Sequence, residues 1–289
     1  MKLRIGACVL SVIAMCWVAA EPGGAEGKET ELSALSDSQS AGFDPWGATH
    51  HRWPSLVDLH IGQEEHYYYW SRPNQRSLLR ERTITSPLNI WVGGDSLAGG
   101  PALGFRELVK EEGGWVYTED VRKSTGVVSD WYFDWRKHLE EEVADGPYEV
   151  IVLSIGGNDW QGFRGGPTEK GSAEWAEEYL QRIQEIFQIL DRPGRLLIWV
   201  GMPHFKVPFM VPLTDVVNAI TREVFSNGER SVWVNAASIV SPGGAWTKHV
   251  MRENGELLEV RTDDGTHYQS SGARLITDAV VAAVALKTG

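Results

Sequence analysis

The chain has 289 residues, 42% of them hydrophobic and 23% charged, with 39 acidic side chains against 27 lysines and arginines. That length allows one large domain or two small ones, and the ordinary composition excludes a collagenous or low-complexity protein. A net charge of −12 excludes nucleic acid and anionic lipid as favoured partners.

The first twenty residues, MKLRIGACVLSVIAMCWVAA, set Lys2 and Arg4 ahead of an apolar stretch from Ile5 to Val18. Ala19 and Ala20 follow. The stretch is short for a membrane span, and the pattern is that of a secretory signal peptide over 1–20, with cleavage as late as Ala25. Its removal deletes two positive charges and no negative ones, so −12 becomes −14. Cys8 and Cys16 both lie in this segment, so a periplasmic or extracellular mature chain has no disulfide to form. No apolar stretch of spanning length follows.

Residues 21–42 are small, polar and acidic, and read as a flexible linker. Residues 43–87 are crowded with Trp, Tyr and His, and are expected as an irregular aromatic-rich arm. Within it, His50, His51, His60 and His66 fit no metal-ligand spacing, so packing or surface roles are expected.

From Leu88 the pattern is regular. LNIWVGG is a short buried strand, PALGFRELVKEEG a helix stopped at Gly113, and GWVYTEDV a strand. FDWRKHLEEEVADG is a helix ending at Gly146, and YEVIVLSIGG is the strongest buried strand in the chain. In the next helix Trp175, Tyr179, Ile183, Phe187 and Leu190 form one apolar stripe, with Ser172 as its cap and Pro193-Gly194 as its end. RLLIWVG is a strand, TDVVNAITREVFSNG a helix and SVWVNAASIV a strand. Asn254-Gly255 between two alternating arms is a β-hairpin signal. SGARLITDAVVAAVALKTG closes the chain as a helix capped by Ser270 or Ser271. Strands alternating with helices require crossovers, so residues 88–289 are expected as an α/β domain around a mainly parallel five-stranded sheet.

Ligands of such a sheet collect at the carboxyl ends of its strands. The first strand ends in Gly93-Gly94-Asp95-Ser96, the second leads to Gly126, and the third ends in Gly156-Gly157-Asn158-Asp159. Asp264 and His267 precede the last helix. These are the parts of an acyl-transfer site. Ser96 is a nucleophile once His267 takes its proton, and Asp264, three residues earlier in one tight turn, fixes the imidazole tautomer. The backbone N–H groups of Ser96 and Gly126 and the side-chain amide of Asn158 are candidate oxyanion donors. Asp95 is expected to hold the turn, and is also a candidate substrate contact with Trp160 and Trp246. Trp131, Trp135, Trp160 and Trp246 offer stacking faces for sugar rings.

Gly94-Asp95-Ser96-Leu97, Gly126, Gly156-Gly157-Asn158-Asp159 and Asp264-Gly265-Thr266-His267 resemble, in order, the four blocks of the SGNH/GDSL hydrolases. The longer strings GGDSLAGG, STGVVSDWYFDW, GGNDWQ and LIWVGMP look like an exported bacterial branch of that superfamily. The resemblance implies a flavodoxin-like three-layer α/β/α sandwich. It also implies Ser96, Asp264 and His267 as triad, Gly126 and Asn158 in the oxyanion hole, and no cofactor or metal. Three functions fit: an esterase removing an acyl, foremost acetyl, group from carbohydrate or a small molecule; an O-acetyltransferase on a polysaccharide; and a non-catalytic glycan-binding or assembly protein.

Overall fold

The computed structural model describes residues 69–70, 78–226, 228–252 and 254–288. The expected signal peptide, the linker and most of the aromatic arm lie outside the described residues. The strands are β1 (Tyr69–Trp70), β2 (Leu88–Gly94), β3 (Trp115–Val121), β4 (Val150–Ser154), β5 (Leu196–Val200), β6 (Ser231–Val234), β7 (His249–Met251) and β8 (Leu257–Glu259). The helices are α1 (Gly99–Glu111), α2 (Trp135–His138), α3 (Ala173–Leu190), α4 (Val211–Ser226), α5 (Ala236–Val240) and α6 (Ser270–Leu286).

The main sheet has the order β1-β6-β5-β4-β2-β3. β2 to β6 are all parallel, with β2 paired to both β3 and β4. Counting only these five, the order is the 2-1-3-4-5 of flavodoxin-like sheets. Every residue of β4 (VIVLS) and β5 (LLIWV) is buried. Such continuous apolar runs suit strands covered on both faces. The chain reverses direction across the sheet after β3, and right-handed crossovers then send helices to opposite faces. On one face α1 packs on α6, and on the other α3 packs on α4. The α3 stripe expected from the sequence lies on the face it buries: Trp175, Tyr179, Ile183 and Leu190 are fully enclosed and Phe187 is half-buried. Ser172 Oγ accepts from the N–H of Trp175 at 3.2 Å, a cap worth about 1 kcal/mol.

Four local expectations change. The string SVWVNAASIV is strand only to Val234, because the Asn235 side chain accepts from the N–H of Ser238 and starts α5. In FDWRKHLEEEVADG the helix begins at Trp135, capped by Asp134, and widens over Leu139–Val143. Ser270 and Ser271 do not cap α6: Gln269 occupies that position without a side-chain bond, and Ser271 Oγ donates instead to the carbonyl of Glu259. The aromatic segment contributes a strand, since β1 pairs antiparallel to β6 through Tyr69 with Val234 and Trp70 with Trp233. The hairpin turned at Asn254-Gly255 forms as β7–β8.

Candidate active site

The chain leaves β2 through Gly94, whose φ of 142° and close approach to the Ser154 carbonyl exclude a side chain. Asp95 then enters the protein. Its Oδ1 accepts from the N–H of Leu97, and its Oδ2 accepts from the N–H groups of Gly156 and Gly157, each at 2.8 Å. The first and third blocks are thus tied through one carboxylate. Burial pushes Asp95 up to about 7, against the three N–H donors that favour its charge. It is fully enclosed, and this corrects the expectation that it contacts substrate: its oxygens face backbone. Ser96 opens a 3-10 turn, Ser96–Ala98, and stays partly exposed.

Asp159 organises the second block. Its carboxylate accepts from Val127 N–H at 3.1 Å, Val128 N–H at 3.0 Å and Tyr179 Oη at 2.9 Å. Gly126 lies directly on it, where a Cβ would come within 2.1 Å of Oδ1. Arg182 braces the same loop by donating to Val127 O and Asp130. Asn158 Nδ2 donates to Thr125 O at 2.9 Å, which locks the segments of two of the expected oxyanion donors together, while Asp95 ties the third, the Ser96 turn, to Gly156 and Gly157. No acceptor is found for the N–H of Ser96 or of Gly126 among the described residues.

Asp264 and His267 share one turn, reversed at Gly265 with φ 77°. His267 Nδ1 donates to Asp264 Oδ2 at 2.8 Å. Asp264 Oδ1 accepts from Thr262 Oγ1 at 2.6 Å, Thr266 N–H at 2.7 Å and His267 N–H at 3.0 Å. Partial burial raises Asp264, but the hydrogen bonds from Thr262, His267 and Thr266 outweigh it and hold the carboxyl below the usual range. An ionised carboxylate only accepts, so the proton of this contact sits on Nδ1, and in a neutral imidazole of that tautomer Nε2 is the free acceptor. The two side chains are 50% and 42% exposed. Exposed pairs stabilise a fold by roughly 0–1 kcal/mol, so this alignment adds little to stability.

Tyr268 sets where the pair stands. Its ring lies flush on Gly100, four residues after Ser96, where a Cβ would meet it at 2.3 Å. Ser96 Oγ and His267 make no hydrogen bond among the described residues. Contacts of this kind are often long without substrate.

The tryptophans divide. Trp135 is only 2% exposed and donates to Thr125 Oγ1, so it is core and not a stacking face. Trp131 is 53% exposed beneath Arg164. Trp160 is partly exposed and donates to Gly157 O. Trp246 is partly exposed and lies under the ammonium of Lys206 at 5.0 Å. The histidines from His50 to His66 lie outside the described residues. Among the described residues no cluster of three His, Cys, Asp or Glu is arranged to hold a metal.

Sequence reasoning missed Arg261 and underrated Asp159 and Tyr179. Tyr179 was legible only as part of an apolar stripe. Arg261 lies in the alternating arm LLEVRT, and nothing there distinguishes a buried arginine from a solvated one.

The model of a family described as "Protein of unknown function (DUF459)" matches residues 89–283. No significant match occurs among curated proteins. Several solved structures share part of the chain path. An aryl esterase from M. smegmatis is 12% identical, covers 68% of this chain and 98% of its own, and has a TM-score of 0.48. A lipase/acylhydrolase from Enterococcus faecalis is 11% identical over 68% and 95%, with a TM-score of 0.46. A carbohydrate acetylesterase family member from Sinorhizobium meliloti is 13% identical over 69% and 99%, also at 0.46. Likeness at this level carries no information about activity.

Proposed function

We propose, for a chain that belongs to the DUF459 family, that it is an exported serine ester hydrolase. Ser96 is its nucleophile, His267 its general base and Asp264 the orienting carboxylate. One observation carries the reading: the 2.8 Å contact of His267 Nδ1 with Asp264 Oδ2, which leaves Nε2 as the base, in the loop whose next residue packs beside the Ser96 turn.

In the proposed reaction, Ser96 Oγ adds to the ester carbonyl while His267 Nε2 takes its proton. Charge on the tetrahedral oxygen falls to the N–H groups of Ser96 and Gly126 and to the Asn158 amide, whose second N–H is not used by Thr125. Collapse breaks the bond to the alcohol, which leaves with the proton from His267. Water, deprotonated by the same imidazole, then cleaves the acyl-serine, and the carboxylic acid departs.

The acyl group proposed is acetyl, carried by an envelope or extracellular carbohydrate. The signal-peptide pattern supports export, and the exposed ring of Trp131 with the partly exposed Trp160 and Trp246 supports a sugar. No helix among the described residues is long and apolar enough to cross a membrane. The test is intact mass after treatment with a fluorophosphonate, with p-nitrophenyl acetate turnover measured in parallel. A single adduct and active turnover are expected, both lost in Ser96→Ala. Wild-type turnover in Ser96→Ala overturns the proposal.

A further inference from the structure

Arg261 is fully enclosed, yet among the described residues no carboxylate lies within ion-pair distance of its guanidinium. Burying such a charge is costly unless dipoles replace the water. Its nitrogens meet four carbonyls instead. Nε donates to His267 O at 3.2 Å, Nη1 to His204 O at 2.9 Å, and Nη2 to Thr266 O at 2.8 Å and Gly265 O at 3.5 Å. The loop holding those carbonyls is closed by Thr262 N–H on His267 O and Gln269 N–H on Val260 O, each at 3.0 Å. Arg261 therefore stands at the neck of the loop with its guanidinium folded back inside it.

Two peptide units of that loop are bonded at both ends. The unit joining Gly265 and Thr266 offers its carbonyl to Arg261 and its N–H to Asp264 Oδ1. The unit joining Thr266 and His267 does the same, carbonyl to Arg261 and N–H to Asp264 Oδ1. A cation on the oxygen end of a peptide dipole strengthens the donor at its nitrogen end. A buried cation and a half-exposed carboxylate are thereby joined through two amides, without touching. With Oδ1 held by those amides and Thr262, Oδ2 is the oxygen left to face the imidazole.

We propose that Arg261 is a positioning residue for the His267–Asp264 pair, acting through the peptide units 265–266 and 266–267. The inference rests on the reading of that pair as catalytic. The planar fork is essential to it: three geometrically separated carbonyls on one loop and one from the segment after β5 are met together, which a lysine ammonium cannot do. Lys206 N–H donating to Gly265 O at 3.0 Å joins the same two segments and completes the clamp.

The experiment uses full-length protein, p-nitrophenyl acetate as probe, and NMR titration of the His267 ring. In Arg261→Lys, kcat is expected to fall about 10- to 100-fold with KM changed less than about threefold, the range for losing outer support of a catalytic group. The His267 titration and the acid limb of kcat/KM are expected to move together to lower pH, because a carboxylate less well aimed stabilises imidazolium less. A role in folding alone would lower the unfolding temperature and the active fraction, with the pH profile unmoved. That result, or wild-type kcat with an unmoved His267 titration, overturns the inference. Arg261→Gln is the second variant. Wild-type hydrogen exchange needs no variant: the Thr266 and His267 amides are expected to be protected, and exchange at the unstructured rate overturns the relay. Ser96→Ala separates the two readings. Full activity there sinks the hydrolase itself, whereas a dead Ser96→Ala beside an unaffected Arg261→Lys sinks only the role of Arg261.

Discussion

Asn158 Nδ2 donates to the carbonyl oxygen of Thr125 at 2.9 Å, fastening the end of β4 to the loop that carries Gly126. One amide hydrogen is used in this clamp and the other has no acceptor among the described residues. The two roles make Asn158 informative to mutate. Asn158→Ala is expected to lower kcat on p-nitrophenyl acetate by about 10²- to 10³-fold, the effect of losing one oxyanion donor. KM should change little. A large rise in KM with kcat intact would show that Asn158 holds the ground state instead.

Gly126→Ala tests the floor of the same loop. Its Cβ would fall 2.1 Å from Asp159 Oδ1, and that carboxylate has no room to retreat because it is held by two amides and Tyr179. Overpacking of this kind costs about 1–3 kcal/mol. Urea unfolding is expected to show that loss together with a large drop in turnover; unchanged stability and turnover would mean the loop adapts freely.

Asp264→Asn removes the orienting charge from an exposed pair. Turnover is expected to fall by about 10²- to 10⁴-fold, since an amide facing Nδ1 favours the wrong imidazole tautomer. The unfolding temperature should stay within a few degrees of wild type. Turnover equal to wild type would remove Asp264 from the site.

Asp95 makes a prediction about pH. Its folded-state carboxyl is raised to about 7, so between about pH 4 and pH 7 the native protein binds a proton that the unfolded chain has released. Unfolding free energy attributable to this group therefore falls as pH rises through that window. In Asp95→Asn the slope should flatten over pH 4–7, while absolute stability drops because Oδ1 and Oδ2 both accept from backbone N–H groups and an amide nitrogen cannot. Identical slopes in the two proteins would show that Asp95 is ionised throughout.

Much of the arrangement was legible beforehand because it depends on local patterns. The unbroken apolar runs of β4 and β5 demanded cover on both faces, and the α3 stripe recurs at helical spacing. The Asp264–His267 contact spans only three residues, so one turn could close it. Where the reading slipped, the competing signal was also local: Asn235 offers a cap in mid-run, and apolar residues after it pack equally well on a helix.

The α/β alternation, the placing of small and polar residues at each strand end, and the identity of the residues brought to that edge can all be read from the order of residues along the chain. What the buried charges do depends on the folded arrangement. Asp95 joins residues 61 and 62 positions apart, Asp159 reaches back 31 and 32 residues to the Gly126 loop, and Arg261 meets His204 across 57. A one-dimensional pattern carries periodicity, which reports faces of helices and strands. It carries no record of which distant amides or carbonyls a charged group will find, and a charge can be buried only after the fold has brought those dipoles together.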